Sequence, residues 1–288
     1  MSTPRPRYRI ALAGAVLALG AVFTFSGLAR AAAAQLWPFK PYTLCTADPR
    51  IWCEAGAESY ARDLARLLPA AVRTVEQAQY GRFAAPVRVY VYDSIDTYAR
   101  YGGGPEAGGR VSFGVVHMSP ILRARPALHA PILTHELSHL HLGQQAGTLA
   151  MMRLPVWFRE GYATLVSGGG GAGGVGADQA IFALVHGRHF EAEDSATLLA
   201  PHMWDYYKLP APMFNRQSAL LLDYLQRRDP AAFAHMIAAV AARRPFADAV
   251  RDAYGQPLAP LWRDFRSGLR GHPAARWDFS PESKEASE

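Results

Sequence analysis

The segment "THELSHLHLG", residues 134–143, places three histidines and a glutamate inside a leucine-rich run. His135 and His139 are four residues apart, so on a helix they stack on one face and can offer two imidazoles to one metal ion. Glu136 lies about 100° round that helix, where a carboxylate can reach a water at the metal without ligating it. That division of labour, two ligands and a general base, is what hydrolysis at a metal needs. His141 falls on another face and is read as non-ligating.

A hydrolytic metal needs a third protein ligand and one open position. A glycine three residues and a histidine six residues after His139 would supply one pattern, but Leu142 and Gln145 stand there. "WFREGYA", residues 157–163, supplies the other: Glu160 lies twenty-one residues beyond His139, enough for a turn and an antiparallel return. Gly161 beside it is expected to let the two ligand-bearing helices approach closely.

With "HELSH" and "WFREGYA" in hand, the chain resembles the gluzincin metallopeptidases, the thermolysin- and zinc-aminopeptidase-like group, and most closely their small "peptidase MA-like" domains. The two motifs together carry the resemblance; a looser similarity runs over roughly residues 55–270. It implies one Zn²⁺ held by His135, His139 and Glu160, with Glu136 as general base. It also implies that the strand around Ser112, Phe113, Gly114 and Val115 is an edge that pairs with extended substrate, a general mode of peptide capture. Related peptidases steady the oxyanion with a downstream tyrosine or histidine, yet Phe214 and Asn215 occupy the expected place. Tyr207 and Tyr206 are the next candidates for transition-state stabiliser. The Gly-x-Met-Glu-Asn segment of the aminopeptidases is lacking, so endopeptidase action is expected.

Around these residues the chain predicts an α+β fold: a small mixed sheet with the active-site helices, then an all-helical C-terminal half. The catalytic part is expected over 35–176, the helical part over 177–275, and a polar tail over 276–288. Residues 35–54, with three prolines, read as a lead-in without regular structure. "AGAESYARDLARLLPAAVRTVEQAQY" has helical spacing, "APVRVYVYDS" alternates as a strand, and Ser94 is the expected N-cap of a short helix. "GGRVSFGVVHMSP" reads as one further strand, and the His-Glu-x-x-His helix follows from about Ala127 to Gly143. The run "GGGGAGGVG", residues 168–176, is either a flexible surface linker or a mobile lid, and its composition favours the linker. Beyond Pro212 four helical stripes follow one another.

The chain is formally +6, but residues 1–34 hold four arginines and no acid. Without them 26 basic residues face 24 acidic ones, a net of +2, so the charge gives no reason to expect a nucleic-acid partner. Arg5, Arg7 and Arg9 precede an apolar stretch, residues 10–28, and then small residues: the layout of an export signal. The stretch is also long enough to remain as a membrane anchor, so residues 1–34 are expected to be one or the other. The expected location is therefore the periplasm, the outer side of the cytoplasmic membrane, or the medium. In an oxidising compartment Cys45 and Cys53 form a plausible disulfide, with a pair of free thiols as the alternative. The functional expectation is a zinc-dependent endopeptidase acting on peptides or proteins through a metal-activated water. The alternative is a catalytically inactive metallopeptidase-like envelope protein that binds a protein partner. A closed structural zinc site would need a fourth ligand, and none stands at an obvious spacing.

Overall fold

The structure, a computed structural model, describes residues 42–101, 103–196 and 201–276. The expected export or anchor segment, residues 1–34, and the expected polar tail lie outside the described residues, apart from Arg276. Among the described residues no helix is long and apolar enough to cross a membrane.

Five short strands form one mixed sheet: β1 (Tyr42–Leu44), β2 (Ile51–Glu54), β3 (Val89–Val91), β4 (Gly109–Ser112) and β5 (Val115–Met118). Their order is β1-β2-β3-β5-β4; β2, β3 and β5 run parallel, and the two outer strands are antiparallel to their neighbours. Alternation decides the faces. Ile51, Cys53, Val89, Val91, Val116 and Met118 point to one side and are essentially fully buried. Against them pack α1 (Glu58–Ala78), through Leu64, Leu68 and Val75, and α3 (His129–Ala146), through Leu133, Leu137 and Leu140. The other face carries a cluster of buried tyrosines, Tyr42, Tyr92, Tyr98 and Tyr101, beside α2 (Ile95–Arg100). Ser94 caps α2 as expected, its hydroxyl accepting from the amides of Asp96 and Thr97 at 3.2 and 3.4 Å.

A second core lies C-terminal to the sheet. It joins α5 (Val156–Val166), α6 (Ala177–Val185), α7 (Ala211–Arg228), α8 (Pro230–Ala241), α9 (Phe246–Tyr254) and α10 (Leu258–Leu269). The short α4 (Thr148–Arg153) connects α3 to α5. The chain is thus α+β, a small sheet followed by helices. By packing, however, α5 already belongs to the helical core, with Trp157, Phe158 and Tyr162 buried among Phe233, Phe246 and Leu221.

Three local expectations need correction. Residues 42–54 are not irregular: β1 and β2 pair there, and Cys45 and Cys53 form a disulfide across them. These strands are only three and four residues long, too short for alternation to register among prolines. "RVSFGVVHM" is not one strand but a hairpin, β4 and β5 joined by Phe113 and Gly114 at φ 49° and 73°. Two successive positive φ angles are the geometry of a tight primed turn, in which Phe is an uncommon occupant. Finally, Gly161 faces away from α3: a Cβ there would stand 2.7 Å from the Ser218 backbone carbon. Its close approach is to α7.

Candidate metal centre

α3 carries His135 and His139 on one face, and α5 brings Glu160 to meet them. The His135 and His139 Nε2 atoms are 3.1 Å apart. Glu160 places Oε2 3.4 Å from His135 Nε2 and Oε1 3.5 Å from His139 Nε2. A tetrahedral ion with bonds of about 2.0–2.1 Å requires its ligands to be roughly 3.3 Å apart. The histidine–histidine separation is close to that edge length, and one ligand atom from each of the three residues lies within 4.8 Å of the others, so the group could hold a metal ion. These residues form the one group of three or more such side chains, among the described residues, whose atoms converge this way. Two neutral imidazoles and one carboxylate suit a borderline ion and leave a fourth position open.

The arrangement is held from behind. His135 is 5% exposed, and its Nδ1–H donates to the Gly170 carbonyl at 2.9 Å. That bond fixes the tautomer whose free Nε2 lone pair points at Glu160. On the far side of α3, His141 has both ring nitrogens engaged, Nδ1 at 2.6 Å from Gln79 Oε1 and Nε2 at 3.0 Å from the Gly81 carbonyl. Gln79 also donates to Ser138, so the end of α1 is tied to the helix that carries the ligands. His141 is not part of the converging group.

Charge at the centre follows from burial and proximity. Burial alone would raise the Glu160 pKa, but the charge and hydrogen bonds of the His139 and His135 rings in their protonated form outweigh it and hold the carboxyl well below the usual carboxylate range. Glu136 shifts the other way: burial pushes it up and the Glu160 charge adds to this, against the pull of His135, His139 and Arg110. Two carboxylates on neighbouring helices therefore differ in proton affinity. Glu136 lies against Gly109 of β4, where a Cβ would be 2.6 Å from its Cγ.

The remaining sequence candidates lie elsewhere. Of Ser112, Phe113, Gly114 and Val115, only Ser112 belongs to the edge strand β4. Phe113 and Gly114 form the turn, and Val115 opens the interior strand β5. The Ser112 hydroxyl is 3.0 Å from His117 Nε2. Tyr207 packs on Phe190 and Phe214, and its hydroxyl donates to the Glu191 carbonyl at 3.3 Å. Tyr206 is 61% exposed and stacks on His202. Neither hydroxyl is hydrogen-bonded to the triad.

The glycine tract also departs from expectation. It is not a bland linker. Gly170 and Gly171 pass directly behind His135, and Cβ atoms there would meet the Pro131 carbonyl oxygen at 2.3 Å and His135 Cε1 at 2.7 Å. Sequence reasoning assigned no role to Gly170, Gln79 or Asn215. A carbonyl donated by a low-complexity segment leaves no side-chain signature to read.

No protein-family model matches the chain, and no curated protein matches it.

Proposed function

We propose that the chain is a zinc-dependent endopeptidase of the gluzincin type, acting on peptide or protein substrates outside the cytoplasm. One observation carries the reading: single ligand atoms of His135, His139 and Glu160 converge within 4.8 Å of one another with the buried Glu136 beside them. A divalent zinc held there would supply Lewis acidity, acidifying water and polarising a carbonyl. His135, His139 and Glu160 would hold the ion. Glu136, with its pKa raised by burial, accepts the proton of the attacking water and returns it to the leaving amine. The arginines and apolar stretch of residues 1–28, read as an export signal or membrane anchor, support a location in the periplasm, at the outer face of the membrane, or in the medium.

The experiment is a zinc stoichiometry on purified protein together with cleavage of an unfolded protein, repeated on Glu136→Gln. One zinc per chain, cleavage by the wild type and none by the metal-loaded variant is the expected outcome. Zinc uptake with no cleavage by the wild type would leave the metal site and remove the peptidase.

One observation favours a second reading, a metallopeptidase-like scaffold that binds a partner. Where related enzymes place an oxyanion-stabilising hydroxyl, this chain has Phe214, fully buried, and Asn215, whose amide is directed to the Gly171 carbonyl. Such a protein would keep its biological role when Glu136 is replaced.

A further inference from the structure

Asn215 sits near the start of α7, far from His135 in sequence, yet the two hold the same loop from opposite sides. The Asn215 Nδ2–H donates to the Gly171 carbonyl at 3.1 Å, and the preceding carbonyl, Gly170, accepts from His135 Nδ1–H at 2.9 Å. Between them Gly171 has φ +79°, and a Cβ there would stand 2.7 Å from His135 Cε1 and 3.0 Å from Asn215 Nδ2. Only glycine fits that slot and that dihedral. The next residue of α7 grips the same loop further on: Arg216 Nε–H donates to the Val175 carbonyl at 2.8 Å.

The chemistry of Asn215 marks this bond as its purpose. The side chain is buried, and its Oδ1 accepts from no group. A buried acceptor left unpaired costs about 1–3 kcal/mol, so packing stability alone would favour an apolar residue here. Turning the amide over would bring Oδ1 against the Gly171 carbonyl, two acceptors face to face, so the orientation is set by the bond itself. Hydrogen-bonded supports of this kind keep an imidazole in its ligating tautomer and orientation, and removing one typically costs about 10–100-fold in metal affinity.

We infer that Asn215 is a positioning residue for the metal centre: through the Gly170–Gly171 backbone it holds His135 with Nδ1 protonated and Nε2 presented to the ion. The inference rests on the reading that His135, His139 and Glu160 bind zinc. It makes the helical half of the chain a part of the metal site beyond its one ligand.

The test titrates the metal-free full chain with Zn²⁺ against a competing chelator, for wild type, Asn215→Asp, Asn215→Ala and Gln217→Glu. Asn215→Asp keeps the volume and loses the donor. Gln217→Glu does the same two residues along α7, where the amide donates to the Arg188 carbonyl, outside the glycine tract. Both Asn215 variants should bind zinc about 10–100-fold more weakly than wild type, while Gln217→Glu, with a comparable loss of melting temperature, keeps wild-type affinity. Wild-type affinity in the folded Asn215 variants, or equal weakening in Gln217→Glu, overturns the inference and leaves the zinc site standing. A wild type that takes up no zinc removes the site reading itself. Should the Asn215 variants fail to fold, imidazole nitrogen NMR of the zinc-loaded wild type decides: His135 must retain Nδ1–H and bind through Nε2, and ligation through Nδ1 overturns the proposal.

Discussion

Gly109 of the edge strand β4 lies directly against Glu136 of α3: a methyl group on Gly109 would stand 2.6 Å from the Glu136 Cγ and 3.1 Å from its carboxylate. The strand thus limits how far the carboxylate can move from His135 and His139 on the same helix. Gly109→Ala must push the Glu136 side chain aside, because real Cβ atoms do not approach so closely. We expect kcat/KM to fall at least about 10-fold, since general bases act over hydrogen-bond distances and small displacements are costly. Zinc stoichiometry should not change, as the atoms nearest a methyl group on Gly109 all belong to Glu136 and not to the proposed ligands. Unaltered peptidase activity in Gly109→Ala would mean that Glu136 is not the base.

Two helix glycines should respond oppositely to alanine. Gly161 of α5 would place its Cβ 2.7 Å from both the Ser218 backbone carbon and the Ser218 Cβ, so α5 and α7 would have to separate. Gly143 of α3 has only Met151 nearby, at 3.8 Å, with no positive φ to strain. Gly161→Ala is therefore expected to destabilise by about 1–3 kcal/mol through overpacking. Gly143→Ala should stabilise by about 0.5–1 kcal/mol through helix propensity. Urea unfolding of both variants checks the pair, and a stable Gly161→Ala would refute the close packing of α5 on α7.

That contrast also shows what the sequence could and could not say. The His135–His139 face was legible because a helix repeats locally, and four residues suffice to bring two imidazoles together. Glu160 was legible because a short motif surrounds it. The partner of Gly161 was not: the glycine announces a close approach but does not name the surface, and α7 begins fifty residues later. The glycine tract misled for a related reason. Composition reports the entropy of a free chain, whereas this segment is held by His135, Asn215 and Arg216, all remote in sequence. Likewise the turn at Phe113–Gly114 hid inside an apolar run, because a bulky residue at positive φ does not resemble a turn. The order of the helices and the sheet-then-helix layout were readable from periodicity. The register and edge of the sheet were not.

The Cys45–Cys53 disulfide closes a loop of about nine residues and staples β1 to the buried strand β2. Chain entropy for a loop of that size predicts a contribution of roughly 2–3 kcal/mol. Cys53 is essentially fully buried, so alanine is the proper replacement at both positions. The double variant Cys45→Ala/Cys53→Ala should unfold at lower urea by that amount, and reductant should lower the wild type while leaving the variant unmoved. The proposed metal ligands, His135, His139 and Glu160, belong to α3 and α5, so zinc stoichiometry should survive.

Stability should also carry a signature of His117. This residue is 1% exposed, with Nδ1 2.7 Å from the Tyr92 hydroxyl and Nε2 3.0 Å from the Ser112 hydroxyl. Burial pushes its pKa from 6.5 down to about 4, with Arg110 adding to the fall and Ser112 opposing it. In the unfolded chain the imidazole takes a proton near pH 6.5, while the folded chain resists until near pH 4. Between those values the unfolded state holds more protons, so stability rises with pH across that window. The contribution is complete above pH 6.5, is lost as pH falls towards 4, and amounts to roughly 3 kcal/mol. His117→Gln has no such titration. It should be less stable than wild type at pH 7, by about 1–3 kcal/mol for the disrupted hydrogen bonds, and the gap should close or reverse by pH 4. Urea unfolding across pH 4–7.5 measures both, and two curves that stay parallel throughout would show that the buried imidazole is not the titrating group.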